Sequence, residues 1–225
     1  MKTSGRAIIS ASLALLITFL TSCHATGQVV ETGIEVMAGN NFDILQGKRV
    51  GLVTNPTGVD RNLRSTVDII NSAPGVKLTA LYGPEHGVRG EFTAGEYVES
   101  ETDPGTGLPV YSLYGKTRKP SPDMLNNIDI LVYDIQDIGS RSYTFISTLG
   151  LLMEAAAEKG IPVVVLDRPN PLGGIRMEGA VTRPGFFSFV SQFAIPYLHG
   201  MTVGELAMFL NGEGMLTNGT RCDLH

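Results

Sequence analysis

Residues 129–137 read DILVYDIQD, a short apolar run that ends in two aspartates and a glutamine. Three other segments have the same apolar character and are rich in Val, Leu and Ile: RVGLVT at 49–54, KLTALY at 77–82 and PVVVL at 162–166. Continuous rather than alternating hydrophobicity indicates strands covered on both faces, as in a parallel sheet between two layers of helices. The sequence therefore predicts four parallel strands at 49–54, 77–82, 129–133 and 162–166.

Helical segments separate these strands. Residues 63–72 follow Asp60, a candidate N-cap, and residues 144–159 carry a helical apolar stripe that stops at Gly160, the expected C′ position. Strands alternating with helices at this spacing are typical of βαβ units. We therefore expect an α/β fold, a Rossmann-like parallel sheet with helices on both faces.

The first 22 residues have the arrangement of a secretory signal. A positive start precedes an uncharged apolar stretch at 7–20, which is shorter than the roughly 20 residues that span a bilayer. The following Leu-Thr-Ser-Cys resembles a bacterial lipobox, so we expect residues 1–22 to be removed, Cys23 to be lipidated and 23–31 to be a linker. The alternative is a simple secretory signal with an incidental cysteine. Lipidation implies a periplasmic protein attached to the membrane surface of a Gram-negative bacterium.

After the second predicted strand, the chain contains a long insertion and, further on, an expected domain boundary. The stretch at residues 84–127 is rich in Gly and Pro, and insertions of that length are usually functional. A helix capped by Thr202 is expected over 201–210, and residues 221–225 have the character of an opening strand. We expect a Rossmann-like domain over 32–211 and the start of a second, truncated C-terminal domain over 212–225.

Composition excludes several classes of protein. With Cys23 lipidated, only Cys222 remains, so no disulfide forms within the chain. A net charge of −5 argues against a nucleic-acid partner. The loop after the first strand, NPTGV, lacks the dinucleotide-binding glycines, and His86 and His199 lack the spacing of metal ligands. We therefore expect no metal and no cofactor.

Polar side chains follow each of the four predicted strands. In an open parallel sheet those strand ends share one edge, where ligands bind. One such loop alone is more simply a solvated turn or a helix cap, but four together predict a site. Its members are Asn55 after the first strand, Glu85 and His86 after the second, Asp134, Gln136 and Asp137 after the third, and Asp167, Arg168 and Asn170 after the fourth.

Carboxylates at such an edge favour acid/base chemistry. Glycoside hydrolysis requires one carboxylic acid to protonate the leaving oxygen and one carboxylate as base or nucleophile. Glu85 lies between apolar strand residues and Arg89 and is the first candidate for one of these carboxyl groups. Its candidate partners are Glu91, Asp134, Asp137 and Asp167, and Tyr111, Tyr114 and Tyr143 are placed to stack on or hydrogen-bond to a sugar.

Several long blocks resemble a known bacterial family. They include GLVTNPTGVDRNLRSTVDII, LYGPEHGVRGEF, YDIQDIGSRSYTFISTL, VVLDRPNPLGG and HGMTVGELA, and they extend from about residue 32 to 211. They are similar to the NamZ-type exo-β-N-acetylmuramidases, formerly a domain of unknown function. The resemblance implies a Rossmann-like domain, a smaller C-terminal domain and an active site between them. It also implies release of N-acetylmuramic acid from the non-reducing end of peptidoglycan fragments, without a cofactor.

The resemblance assigns roles to particular residues. Glu85, in the GPEHG block, is the expected catalytic acid and Glu91 its competitor. A lactyl carboxylate distinguishes muramic acid from N-acetylglucosamine, and a planar guanidinium holds a carboxylate with two parallel hydrogen bonds. Arg89, Arg141 and Arg168 are the candidates for that contact. The site would be completed by Asn55, His86, Asp134, Asp137, Tyr143, Asp167 and Asn170.

Two other functions stay open on the sequence. The first is a non-catalytic cell-wall lipoprotein that binds muramyl saccharides in the same cleft. The second is an amidase or esterase, which would need Ser140, Ser142 or Thr144 beside His86 as nucleophile and base. The chain departs from the family in length, so we expect the C-terminal domain that would form half of the cleft to be missing or truncated here.

Overall fold

A six-stranded sheet organises the part of the chain that the computed structural model describes, residues 30–90 and 101–225. The strands lie in the order β3-β4-β2-β1-β5-β6, and every neighbouring pair is parallel except β3 with β4. The α/β class is thus confirmed. The strands are β1 Arg49–Thr54, β2 Lys77–Gly83, β3 Glu101–Thr102, β4 Pro109–Ser112, β5 Ile130–Asp134 and β6 Val163–Val165.

All four strands expected from the apolar runs are present. The first has the expected bounds, while the second extends to Gly83 and the fourth is shortened to Val163–Val165. The sequence did not predict β3 and β4, which lie within the Gly- and Pro-rich stretch at 84–127. Runs as short as Pro109–Ser112 give too little periodicity to be distinguished from loop.

In the part of the chain that the structure describes, four helices flank the sheet: α1 Gly33–Gly39, α2 Thr66–Asn71, α3 Phe145–Lys159 and α4 Val203–Gly212. The start of α3, its stop at a left-handed Gly160 and the Thr202 cap of α4 are confirmed. The predicted N-cap of the earlier helix was wrong. Asp60 accepts hydrogen bonds from the backbone of Asn62 and Arg64 in a local turn, and Ser65 caps the shorter α2.

Both faces of the sheet are covered. Along β5, Ile130 and Val132 pack with α1 and α2 on one face, whereas Leu131 and Tyr133 pack with α3 and α4 on the other. Such strands are apolar at nearly every position, which explains the continuous runs in the sequence. On β1, a Cβ at Gly51 would come within 2.9 Å of the Tyr82 ring, so that position is left to glycine.

The C-terminal residues continue this sheet. Leu224 forms a parallel bridge with Val163, and the Val165 N–H donates to His225 O at 2.9 Å. The expected extended segment at 221–225 therefore pairs with β6, and the boundary between a domain at 32–211 and a second at 212–225 stays a prediction. Residues 1–29, with Cys23, and 91–100, with Glu91, lie outside the described residues. Within 30–90 and 101–225, no helix is both long and apolar enough to cross a membrane.

Candidate active site at the carboxyl edge of the sheet

The loops after β1, β5 and β6 are joined by hydrogen bonds at one edge of the sheet. The Thr54 hydroxyl donates to Asp134 O at 2.7 Å, and the Gln136 N–H donates to the Thr57 hydroxyl at 2.9 Å. The Gln136 side chain in turn donates to Pro169 O at 2.8 Å. The structure therefore brings together three of the four predicted loops, as parallel strand ends require.

A buried ion pair lies beneath these loops. Arg168 donates through Nε to Asp134 Oδ1 at 2.6 Å and through Nη2 to Oδ2 at 3.0 Å. Thr66 also donates to the carboxylate, and Arg168 Nη2 donates to Val59 O at 2.8 Å. Asp134 is 0% exposed and Arg168 6%. The edge of the guanidinium that would hold a substrate carboxylate is thus already occupied, and Asp134 is closed to a substrate.

Asp137 is buried in a second polar pair. The Met201 N–H donates to His199 Nδ1 at 3.3 Å, so the ring carries its hydrogen on Nε2 and donates it to Asp137 Oδ2 at 3.2 Å. The Gly139 N–H donates to the same oxygen at 2.8 Å. Oδ1 is buried and has no hydrogen-bond partner within the described residues. The HGMT block contained His199, but the sequence gave no sign of its partner.

Three other residues that the sequence predicted to contact the substrate form hydrogen bonds that hold loops in place. Asp167 accepts from the Thr202 hydroxyl at 2.7 Å and from Gly204 N at 2.8 Å, and so caps α4. Asn170 donates to Met201 O at 2.9 Å and accepts from Leu172 N at 2.9 Å. Asn55 accepts from the backbone N–H of Thr57 at 3.0 Å in a local turn.

Arg89 is held between two carboxylates. Its Nε donates to Asp103 Oδ1 at 2.9 Å and its Nη2 to Asp68 Oδ1 at 3.0 Å, while Nη1 reaches the other oxygen of Asp68. The hydrogen bond to Asp103, and then that to Asp68, raise the pKa of the guanidinium. Both edges of Arg89 are therefore engaged within the protein.

Arg141 differs from these two arginines. Its Nη1 donates to Ala180 O at 2.7 Å and to Ile195 O, and its guanidinium carbon lies 5.8 Å from the centre of the Tyr197 ring. No described residue accepts a hydrogen bond from Nε or Nη2. Of the three predicted carboxylate-binding arginines, Arg141 thus keeps an edge that is not used by a protein carboxylate.

The Tyr197 ring lies beside Arg141, and Ser140, Ser142 and Tyr143 adjoin Arg141 in the sequence. Tyr143 is 46% exposed and Tyr197 45%. The Tyr197 hydroxyl lies 3.0 Å from that of Ser142, and hydrogen bonds with Ser142 and Ser140 lower the pKa of the Tyr197 phenol. The sequence reasoning missed Tyr197. None of Ser140, Ser142 and Thr144 hydrogen-bonds to His86 in the described residues, so the pair that an amidase or esterase needs is not formed.

Glu85 follows β2 and is half-buried, in contrast to Asp134 and Asp137. The hydrogen bond between the Tyr114 phenol and Glu85 raises the pKa of that phenol; burial raises it further and Arg118 lowers it. His86, next to Glu85, has φ +74°, a backbone conformation that residues other than glycine rarely adopt.

Among residues 30–90 and 101–225, no group of three or more His, Cys, Asp or Glu is arranged to hold a metal ion.

A family model described as exo-beta-N-acetylmuramidase NamZ, N-terminal, matches residues 50–225. The chain belongs to the NamZ family. A curated relative from Bacillus subtilis strain 168, peptidoglycan beta-N-acetylmuramidase NamZ, is 56% identical over 184 residues, which are 82% of this chain and 44% of the relative.

Two solved structures from Bacteroides fragilis NCTC 9343, both of DUF1343 family proteins, are similar to the chain. One is 63% identical to this chain, with a TM-score of 0.81; the match covers 87% of this chain and 48% of the solved chain. The other is 36% identical, with a TM-score of 0.77; the match covers 88% of this chain and 51% of the solved chain. The chain thus spans about half the length of these NamZ-family relatives.

The burial of the Asp134–Arg168 pair predicts a large effect on stability. Asp134→Asn leaves a buried guanidinium without its counter-charge, so the free energy of unfolding in urea should fall by about 3–5 kcal/mol. Asp129→Asn is the matched control, because its pair with Arg49 is similarly bidentate but about 40% exposed. The free energy of unfolding should fall far less in that control, because exposed ion pairs contribute little. Equal losses for the two variants would contradict a structural role for Asp134.

Proposed function

We propose that the protein is a glycoside hydrolase that releases N-acetylmuramic acid from the non-reducing end of peptidoglycan fragments. The proposal is supported by its NamZ-family membership and by the 56% identity to the peptidoglycan beta-N-acetylmuramidase of B. subtilis. The observation that carries it is the difference in burial among the carboxylates at the sheet edge. Asp134 and Asp137 are buried among protein partners, whereas Glu85, after β2, is partly exposed.

Glu85 is the carboxylate to which we assign a direct part in catalysis. Cleavage of a glycosidic bond needs a proton for the leaving oxygen and an attacking or water-activating carboxylate at the anomeric carbon. A half-exposed side chain at the edge of the sheet is accessible to a sugar ring. Glu91, which follows in the same stretch of sequence, is our candidate for the second carboxyl group. Asp134 and Asp137 are assigned to holding the loops.

Arg141 is the group to which we assign recognition of muramic acid. Its Nη1 is fixed by two backbone carbonyls, which orients the plane of the guanidinium and leaves Nε and Nη2 on the opposite edge. That edge matches the two oxygens of the lactyl carboxylate. Tyr197, whose ring centre lies 5.8 Å from the guanidinium carbon, and Tyr143, two residues after Arg141, are each nearly half exposed, and we assign them contact with a sugar ring.

We also propose that the protein is a lipoprotein anchored in the periplasm. The support is the sequence Leu20-Thr21-Ser22-Cys23 after an uncharged apolar stretch. Acyl chains on Cys23 would keep the enzyme at a membrane surface, close to peptidoglycan fragments.

The hydrolysis test uses p-nitrophenyl β-N-acetylmuramide, with the N-acetylglucosaminide as control substrate. The chain extended to the length of its relatives should release nitrophenol from the muramide only. Glu85→Gln should lower turnover by roughly 10²- to 10⁴-fold without loss of folding, because the amide neither transfers a proton nor attacks. Glu213→Gln, a change at an exposed glutamate after α4, should leave turnover unchanged. A folded, extended protein that hydrolyses neither substrate would contradict the proposal and favour a sugar-binding lipoprotein.

Arg141→Ala should weaken binding of N-acetylmuramic acid by roughly 10- to 100-fold, because two hydrogen bonds to a charged group are lost. Binding of N-acetylglucosamine, which has no lactyl group, should change little. Isothermal titration calorimetry of both sugars measures the difference, with Arg221→Ala as an exposed control. Equal losses for the two sugars would exclude Arg141 as the lactyl contact.

Cys23→Ser should release the protein from the membrane fraction of expressing cells, since serine carries no thioether-linked lipid. Immunoblots of the pelleted and soluble fractions measure the shift. A variant that pellets with membranes to the same extent as the unchanged protein would refute lipidation at Cys23.

A further inference from the structure

Residues 182–191, TRPGFFSFVS, form an exposed loop with three phenylalanines, which we call the aromatic loop. The Phe186 side chain is 75% exposed, Phe187 48% and Val190 53%, and Phe189 is partly exposed. A group of large apolar side chains on the surface commonly marks a place where a ligand or partner binds. None of these four residues has a role in the function proposed above.

Hydrogen bonds within the aromatic loop fix its shape. The Phe186 N–H donates to Arg183 O at 3.1 Å, across a turn in which Gly185 has φ +88°. Further on, the backbones of Ser188 and Ser191 hydrogen-bond to each other in both directions, at 3.4 and 2.9 Å. The phenylalanine rings are therefore carried on a loop whose backbone is held by its own hydrogen bonds.

The two ends of the aromatic loop are anchored beside Arg141. The Thr182 and Ser191 hydroxyls lie 2.9 Å apart and close the loop at its base. Just outside them, Ala180 O and Ile195 O both accept hydrogen bonds from Arg141 Nη1. Arg141 follows β5, so the loop begins next to the residue to which we assign the lactyl carboxylate.

The far part of the aromatic loop contacts a different strand end. The guanidinium carbon of Arg118 lies 4.4 Å from the centre of the Phe189 ring, which is a cation–π distance. Arg118 follows β4, and β2 and β1 lie between β4 and β5 in the sheet. Neighbouring strands are about 4.8 Å apart, so β4 and β5 are separated by roughly 14 Å. The loop therefore extends from Arg141 to a strand end three positions away in the sheet.

That separation is longer than one sugar ring. In a peptidoglycan fragment, a terminal muramic acid bound at Arg141 is followed by the sugar that leaves when the glycosidic bond is cleaved. Phenylalanine rings offer flat apolar faces that suit the C–H face of a sugar, and they lose little conformational freedom on binding. The aromatic loop thus offers a contact for the second sugar, at a distance from Arg141 that the first sugar does not cover.

We propose that the aromatic loop binds the sugar that follows the muramic acid, with Phe186 and Phe187 as its specificity-determining contacts. This inference rests on the proposed glycosidase function and adds a second subsite to it. The loop then selects a disaccharide or longer glycan over a muramic acid that carries a small leaving group.

The first test measures binding without cleavage, on the chain extended to the length of its relatives. Isothermal titration calorimetry compares N-acetylmuramic acid with its disaccharide with N-acetylglucosamine, in which sulfur replaces the glycosidic oxygen to prevent hydrolysis. The disaccharide should bind more tightly than the monosaccharide. Phe186→Ala and Phe187→Ala should each weaken binding of the disaccharide by roughly 3- to 10-fold and leave that of the monosaccharide unchanged. Phe209→Ala, at a phenylalanine that is 40% exposed on α4, is the matched control and should change neither.

Three results of this experiment would overturn the proposal. Equal losses for the two ligands would place the rings at the muramic acid instead. A disaccharide that binds no more tightly than the monosaccharide would exclude a second subsite. A lower free energy of unfolding in the Phe186 and Phe187 variants, with sugar binding unchanged, would make the aromatic loop a surface on which the rest of the chain packs.

The second test uses hydrolysis. For the disaccharide with its natural oxygen, Phe187→Ala should lower kcat/KM by roughly 3- to 10-fold. For methyl β-N-acetylmuramide, whose leaving group is too small to reach the loop, kcat/KM should not change. Equal falls for both substrates would contradict the subsite. If neither substrate is hydrolysed, the proposed function falls, and the calorimetry alone decides whether the aromatic loop binds the second sugar.

Discussion

The carboxyl edge of the sheet depends on the buried pair between Asp134 and Arg168. Asp134 ends β5 and Arg168 follows β6, so the pair joins two adjacent strand ends. Its outer contacts reach Thr66 at the start of α2 and the carbonyl of Val59 in the loop after β1. A buried carboxylate and guanidinium are tolerated only when paired and hydrogen-bonded, so each of these partners is needed for the others to stay in place.

The polar residues at this edge thus divide into two groups. The members bound within the protein, of which Asp134, Asp137 and Arg168 are buried and Asp167 and Asn170 partly exposed, fix the loops through hydrogen bonds to backbone and to one another. The accessible members, Glu85, Arg141 and Tyr143, are supported by that framework and are the ones open to a sugar. A rigid framework keeps reacting groups in the geometry that catalysis needs. This matters because small displacements of a reacting group lower the reaction rate strongly.

The sequence predicted the fold well where the signal was strong. Continuous apolar runs identified four of the six strands, β1, β2, β5 and β6, and Gly160 and Thr202 correctly marked helix ends. It failed at Asp60, because an aspartate forms a local turn as readily as a helix cap, and at β3 and β4, which are too short for a period to appear.

For the site, the sequence predicted that these loops meet at one edge of the sheet, but not which of their residues are buried there. Whether a carboxylate after a strand faces solvent or a neighbouring loop depends on long-range packing. Arg168 hydrogen-bonds to Asp134, which lies 34 residues earlier in the sequence, and His199 to Asp137, which lies 62 residues earlier. No local pattern contains those partners.

A crystal structure with N-acetylmuramic acid bound tests the central claim most directly, namely that the accessible residues of this edge receive the sugar. The account predicts the lactyl carboxylate on the Nε and Nη2 edge of Arg141, the anomeric carbon facing Glu85, and the Asp134–Arg168 pair unchanged from the sugar-free protein. A sugar bound away from Glu85, or a lactyl group held by Arg168 after its separation from Asp134, would contradict it.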